Sequence, residues 1–468
     1  MSLATVPLDV ILELTFFLDL QDSLHLLSTS TSLQSLLSLK DFWLKTLGRM
    51  EKVHMQPLPC PFGVDIADMP TEGLRKLAIH AYSLKRNWSL ARAIPASIRK
   101  FKLGGDYREI CVIPGTNLVI TNSHERLVCW HTISGARLGG IEHDDDAAYL
   151  IGRAPPFQLL GQCFIGLSSQ NRPHLALLVV KIDYQNADQV IVSETYSTIL
   201  STAEFRPISI PDVALDENVI GMVFTSHIDQ LSTLVYCHFN DGIVHRVPLG
   251  IRLGTLPVCA LHGGHFYIHG QDLREPAMIV RVPVAPPHSP DTVNHAIEIT
   301  PIDVPASVPE SQLSCLSIGL PQLLPPKYGV FNITRRTSHS LRNRPPARLP
   351  SVHFWPATDS GAHLDFGELS FYEHHSEIVG LAAGVSGRYA AIIDVAQRAS
   401  AMKPKTGLGL VHYAPHPVPH TSFHVLDIAS VDINFYTAVL ALDDVLGVVY
   451  VTHIGEGDAA TFSVLSYA

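Results

Sequence analysis

The chain has 468 residues, 46 % hydrophobic and 16 % charged, a balance that excludes a disordered polymer and implies much buried sheet. Its length is too great for one small domain and suits two to four domains, or one small domain beside a large repeat domain. With 43 acidic against 33 basic residues the net charge is -10. No basic surplus exists to neutralise a phosphate backbone, so nucleic acid is not an expected partner.

The apolar N-terminus lacks the positive start of a signal peptide, and Asp9, Glu13, Asp19 and Asp22 interrupt it. No uninterrupted apolar run approaches the roughly 20 residues of a membrane helix, so no membrane association is expected. The run from Tyr436 to Val451 comes nearest, and Asp443 and Asp444 break it. Seven cysteines are scattered without a Cys-x-x-Cys pair, several inside apolar runs. Buried reduced thiols in a cytoplasmic or nuclear protein are the economical reading.

Residues 1–50 differ from the rest. Leucine is dense, Pro7 is the only proline and glycine is absent until Gly48. Val10, Ile11, Leu14, Phe17 and Leu18 recur at helical spacing, with Pro7 suited to the first turn. Leu20, Leu24 and Leu27 follow, then Leu33, Leu36, Leu37, Phe42, Trp43, Leu44 and Leu47. The Ser and Thr residues from Ser28 to Ser32 read as a turn and an N-cap. Three or four short helices are predicted over residues 7–50.

Residues 51–97 read as a linker carrying one helix. Pro57, Pro59, Pro61 and Pro70 stiffen its first part. Leu74, Leu77, Ala78, Ala81, Tyr82 and Trp88 then predict a helix over 71–90, with Thr71 as N-cap.

From about Ile98 the period drops to two. Short β-branched and aromatic runs, such as 109–113, 117–121, 127–130, 233–239 and 445–452, are separated by Gly, Pro, Asn and Asp. Residues 98–468 therefore read as one large all-β domain, and the whole as an α+β multidomain chain. Strands ending in Trp130, Tyr184, Phe239, Pro283, Trp355, Tyr413 and Tyr467 recur at intervals near or above the blade period of a radial repeat. The unit Gly115–Thr121, Leu127–Trp130, His131 and Ser134-Gly135 resembles a WD-repeat blade, with His131 where the family has Asp. That resemblance implies a β-propeller, and seven units fit the length. The proline-rich 283–309 and arginine-rich 335–350 segments read as surface insertions.

The segment Val6-Pro7-Leu8-Asp9-Val10-Ile11-Leu12-Glu13-Leu14, continued by Phe17 to Leu24, resembles the F-box, and Trp43 matches the Trp near the end of that module. The resemblance covers residues 4–50. It departs at Thr29-Ser30-Thr31-Ser32-Leu33, where the family has Val-Cys-x-x-Trp; the Ser-rich turn is similar to F-box chains of mushroom-type fungi. The resemblance implies binding of a Skp-type adaptor and, through it, a cullin scaffold. Carried over by position, Val6, Pro7, Val10, Ile11, Leu14, Leu18, Leu24 and Trp43 would lie in or near that interface. The residues say something compatible on their own: three short helices carry more apolar surface than they can bury, so a partner groove should cover the excess.

No catalytic residue, cofactor or metal is expected. His412, His416, His420 and His424 are spaced by four, but Pro415, Pro417 and Pro419 forbid a helix that would align them. His262, His265 and His269 flank hairpin glycines, and adjacent His374 and His375 would face opposite ways on a strand. The acidic run 142–146 and Arg335–Arg348 read as solvated loops, Gly104-Gly105 and Gly263-Gly264 as turns. The expected role is non-catalytic: a receptor that holds an unidentified protein substrate for ubiquitination. The alternatives are an enzyme or a non-degradative scaffold using the propeller channel or top face.

Overall fold

A computed structural model describes residues 6–468 except 54–55, 61–63, 104–106, 124–125, 143–148, 152–156, 172–173, 187–188, 202–212, 227–230, 254–256, 271–277, 287–296, 302–310, 319–328, 337–348, 357–364, 370–375, 387–388, 397–404, 415–419, 429–438 and 455–459. The histidine pair 374–375, His416, the acidic run beyond Glu142, Gly104-Gly105, and most of the proline-rich and arginine-rich segments lie outside the described residues.

The chain opens with helices α1 (Leu8–Phe17), α2 (Leu20–Ser28), α3 (Thr31–Gln34) and α4 (Lys40–Lys52). Pro7 stands at the N-cap of α1 rather than inside its first turn, and its carbonyl accepts from the backbone N–H groups of Val10 and Ile11. The Asp19 carboxylate caps α2 by accepting from Asp22 N at 2.7 Å, and Ser30 caps α3 by accepting from Leu33 N at 3.3 Å. Trp43 is fully buried, with its indole Nε1 donating to Leu37 O at 2.8 Å.

Helix α5 (Thr71–Trp88) follows. Its N-cap is Pro70, not Thr71, and no side chain caps it. The residues before it do not behave as a spacer: 56–60 are buried, and Leu58 packs into the helical core. The same core takes Leu74, Leu77, Ala78 and Ala81 from α5, beside Ile11, Leu27, Leu36 and Trp43.

The rest of the described chain is strand, in seven sheets of four or five strands. In chain order their first strands are Tyr107–Ile113, Tyr149–Ile151, Val213–Leu215, Val258–His262, Ser311–Ile318, Ser376–Ala383 and Val439–Asp443. Each sheet is built on antiparallel pairs of strands close in sequence, and in the second sheet Tyr149–Ile151 and Phe157–Leu159 both pair with Gln162–Asn171. First strands of successive sheets touch, the second sheet reaching the third through Gln162–Asn171; the seventh sheet returns to the first. The arrangement is radial and propeller-like. Strand Ser97–Lys102 joins the last sheet by pairing antiparallel with Ala460–Ser466, so the start of the β region closes its end. Arg92–Ala93 adds a parallel edge to His420–Leu426 in the sixth sheet.

The WD-like unit occupies the first sheet. Trp130 Nε1 donates to Thr121 Oγ1 at 2.7 Å, and His131 Nδ1 meets Ser134 Oγ at 2.9 Å across the turn that Gly135 makes with φ +70°. The six described cysteine side chains are buried free thiols. No helix among the described residues is long and apolar enough to cross a membrane.

Asp443 and Asp444, read as charges breaking an apolar run, are fully buried. They end one strand and begin a turn into the next, Val448–Ile454. Asp443 accepts from Gly115 N at 3.1 Å, tying the last sheet to the first, and from Val445 N and Leu446 N within its own turn. Asp444 accepts from the backbone N–H and hydroxyl of Ser386, tying the last sheet to the sixth. Burial pushes both carboxyls up, to about 7 for Asp443 and about 6 for Asp444, and these donors offset only part of the effect.

A carboxyl whose folded pKa is raised stabilises the fold fully below its unfolded value, near pH 4, and loses that contribution as pH rises through the folded value. Stability to denaturant should therefore decline between about pH 4 and pH 7, and Asp443→Asn should flatten that decline. Gly447, with φ +70°, lies so close to Leu84 of α5 that a Cβ there would overlap the leucine. Gly447→Ala should cost roughly 2–4 kcal/mol in equilibrium unfolding, the sum of left-handed strain and overpacking.

Candidate partner-docking face

Helix α1 carries Leu8, Val10, Ile11, Leu12, Leu14, Phe16 and Phe17 within ten residues. A helix apolar on every side belongs inside a core. Here only one side is inside: Ile11 and Thr15, one turn apart, are the buried positions of α1. Another side faces solvent, with Val10 43 %, Leu14 43 % and Phe17 77 % exposed. Val10, Leu14 and Phe17 fall at i, i+4 and i+7 and so make one stripe. Leu8, 47 % exposed, lies in the first turn on the side of Leu12 and Thr15. Phe16 packs edge-to-face on Phe17, centroids 5.9 Å apart, under the Arg49 guanidinium 5.4 Å from its ring.

The stripe has an ionic margin. Glu13 pairs with Lys45 of α4 at 3.0 Å, both groups largely exposed, so this pair positions more than it stabilises.

The sequence-predicted site residues separate into two groups. Val10 and Leu14 lie on the exposed stripe, and Pro7 is exposed just before it. Val6, Leu18 and Leu24 are half-buried. Ile11 and Trp43 have no accessible surface at all. They are core residues of the helical unit, and any part they play in docking is to hold α1 in place. The excess apolar surface is likewise divided: α5 of the same chain covers much of it, and the stripe on α1 is what remains.

Phe17 belongs to the face although family position did not single it out. Its signal is the seven-residue step from Val10, which puts both on one side of α1.

The docking face is held rigidly relative to the sheets. Helix α5 continues past the helical core, and its Leu84 and Trp88 enter a second core with Tyr389, Leu442, Val449, Leu465 and Tyr467. Trp88 lies against Tyr389 with centroids 4.7 Å apart. Polar contacts repeat the attachment: His80 Nε2 donates to Leu446 O at 3.1 Å, Asn87 Nδ2 to Tyr467 O at 2.7 Å, and Tyr389 hydroxyl to Gln56 Oε1 at 3.2 Å. Burial pushes His80 below the ordinary histidine range, and the bond to Leu446 O offsets part of the effect.

The described histidine side chains among the other sequence candidates keep separate partners. His412 stacks on Tyr389, while His424 bonds Leu90 O and Ser422. His262 and His265 face each other across the Gly263-Gly264 hairpin turn. Among the described residues no three His, Cys, Asp or Glu side chains gather as a metal site.

No family model matches the chain, and no curated protein matches it in sequence. Among solved structures, the chain is similar to the WD40 domain of SCAP from fission yeast, at 8 % identity over 77 % of this chain and 84 % of that one, with a TM-score of 0.41. It is similar to Kluyvelomyces marxianus Hsv2 at 8 % identity over 76 % and 94 %, with a TM-score of 0.39. The β-propeller domain of the Trilobed protease from Pyrococcus furiosus matches at 11 % identity over 69 % and 84 %, with a TM-score of 0.36.

The two groups of site residues should respond differently to substitution. Leu14→Asp, on the open stripe, should leave the melting temperature and circular dichroism within error of the parent, a change of about 0.5 kcal/mol or less. Trp43→Ala should cost about 3–5 kcal/mol by leaving a cavity in the helical core.

Proposed function

We propose that the chain is the substrate-recognition subunit of a cullin-type ubiquitin ligase, with residues 1–50 acting as an F-box and residues 98–468 as a seven-bladed β-propeller. The α1 stripe docks a Skp-type adaptor, which links to the cullin scaffold. The propeller holds a protein substrate, and no residue of this chain performs chemistry. Proximity does the work, by raising the effective concentration of substrate lysines at the conjugating enzyme.

The observation that carries this reading is the apolar stripe of Val10, Leu14 and Phe17, left open on a helix held in place by buried Ile11 and Thr15. Contiguous exposed apolar surface on a stable fold marks a protein interface, and this one coincides with the segment that resembles the F-box. A second support is the rigid attachment through α5, which fixes the substrate-holding domain relative to the adaptor. A receptor that works by positioning needs such a fixed geometry.

Purified chain and Skp-type adaptor, titrated by calorimetry, should form a one-to-one complex. Leu14→Asp and Val10→Asp should weaken it at least about 100-fold, because a buried unpaired carboxylate costs several kcal/mol, while both variants stay folded. Absence of a complex, or full affinity in both variants, would falsify the proposal.

A further inference from the structure

Helix α1 stops abruptly. Phe17 is its last residue, Leu18 is extended, and Asp19 already caps α2. The last carbonyls of a helix find no donor within it and need one from outside. Here neighbouring helices supply the donors. The Arg49 guanidinium of α4 donates through Nη1 to Leu18 O and reaches Thr15 O at 3.5 Å. Ser23 Oγ of α2 donates to Thr15 O at 3.3 Å. The same guanidinium lies over the ring of Phe16, which in turn packs edge-to-face on Phe17. A cation at this end of α1 also complements the negative pole of the helix dipole.

The stripe is not equally secure along its length. Val10 and Leu14 sit in the body of α1, where backbone hydrogen bonds fix them. Phe17 is the most exposed of the three and sits in the last turn. Helix ends open readily unless something ties them down. With the last turn open, Phe17 leaves the line of Val10 and Leu14, and ordering it again subtracts from the affinity for any partner.

We propose that Arg49 is a positioning residue of the docking face: by holding the Thr15 and Leu18 carbonyls and the Phe16 ring, it keeps Phe17 in line with Val10 and Leu14 before a partner arrives. The proposal rests on the reading that the stripe docks an adaptor. It adds that the order of the stripe is set from α4, by a residue outside the stripe itself. Lys45, one turn earlier on α4, holds the middle of α1 through Glu13 and leaves the carbonyl end to Arg49.

Arg49→Met keeps the aliphatic stem and removes the donors, and Arg49→Ala stands in for it if that variant does not fold. Hydrogen exchange on the free full chain reads the last turn of α1, and calorimetry with a Skp-type adaptor reads docking. In the parent, amides of residues 14–18 should exchange no faster than those of α2. In Arg49→Met they should exchange at least about tenfold faster, with circular dichroism unchanged, and adaptor affinity should fall about tenfold, the worth of one charged hydrogen bond. A double-mutant cycle with Phe17→Ala separates positioning from general support. Once Phe17 is gone, Arg49→Met should change affinity by less than about twofold, because it acts through that ring. An equal loss in both backgrounds would overturn the proposal, since Arg49 would then touch the adaptor or support the fold as a whole. Open amides at residues 14–18 in the parent, or exchange unchanged in the variant, would overturn it with or without an adaptor. A parent chain that binds no adaptor overturns the docking reading instead, and the exchange measurement tests the Arg49 clamp separately.

Discussion

One apolar stripe on α5 organises this molecule. Leu77 and Ala78 follow Leu74 at i+3 and i+4, and Ala81, Leu84 and Trp88 continue at three- and four-residue steps, so all six share one side of the helix. The first four complete the core of the N-terminal helices, and the last two complete a core of the sixth and seventh sheets. A fully buried large apolar side chain contributes about 1.5–3 kcal/mol, so Leu84 and Trp88 alone anchor the helix firmly to the sheets. Because a single helix serves both cores, the helical unit cannot swing without opening one of them.

The seam that α5 covers is also where the β region closes on itself. Strand Ser97–Lys102 completes the seventh sheet, and Asp443 and Asp444 reach from that sheet to its two neighbours. Burying two carboxyls side by side is costly, and it persists only because backbone N–H groups and a serine hydroxyl meet their oxygens. The turn they hold carries Leu446 and Gly447, the residues on which His80 and Leu84 of α5 rest. Ring closure and helix docking thus depend on the same few hydrogen bonds.

Against this packed background the open side of α1 stands out. Its inner residues are inaccessible, yet an equally apolar outer side faces water.

The sequence by itself determined the local elements. Helical spacing from Val10 to Leu47 and from Leu74 to Trp88, and the change to period two near Ile98, depend only on neighbouring residues, and the strand-ending aromatics announced a radial repeat. The apolar excess of the N-terminal helices was legible too, since it is a matter of composition. What only the tertiary structure decided was who covers that excess. Ile11 and Trp43 read like contact residues, but α5 packs over the core they belong to, through contacts formed across the whole helical unit. Asp443 and Asp444 read only as charges breaking an apolar run because their donors, Gly115 and Ser386, lie hundreds or tens of residues away along the chain. Gln56, buried and bonded to Tyr389 of the sixth sheet, carried no pattern at all. Spacing reports what a residue's own helix or strand does with it, whereas burial and unpaired donors depend on elements that only the fold brings together.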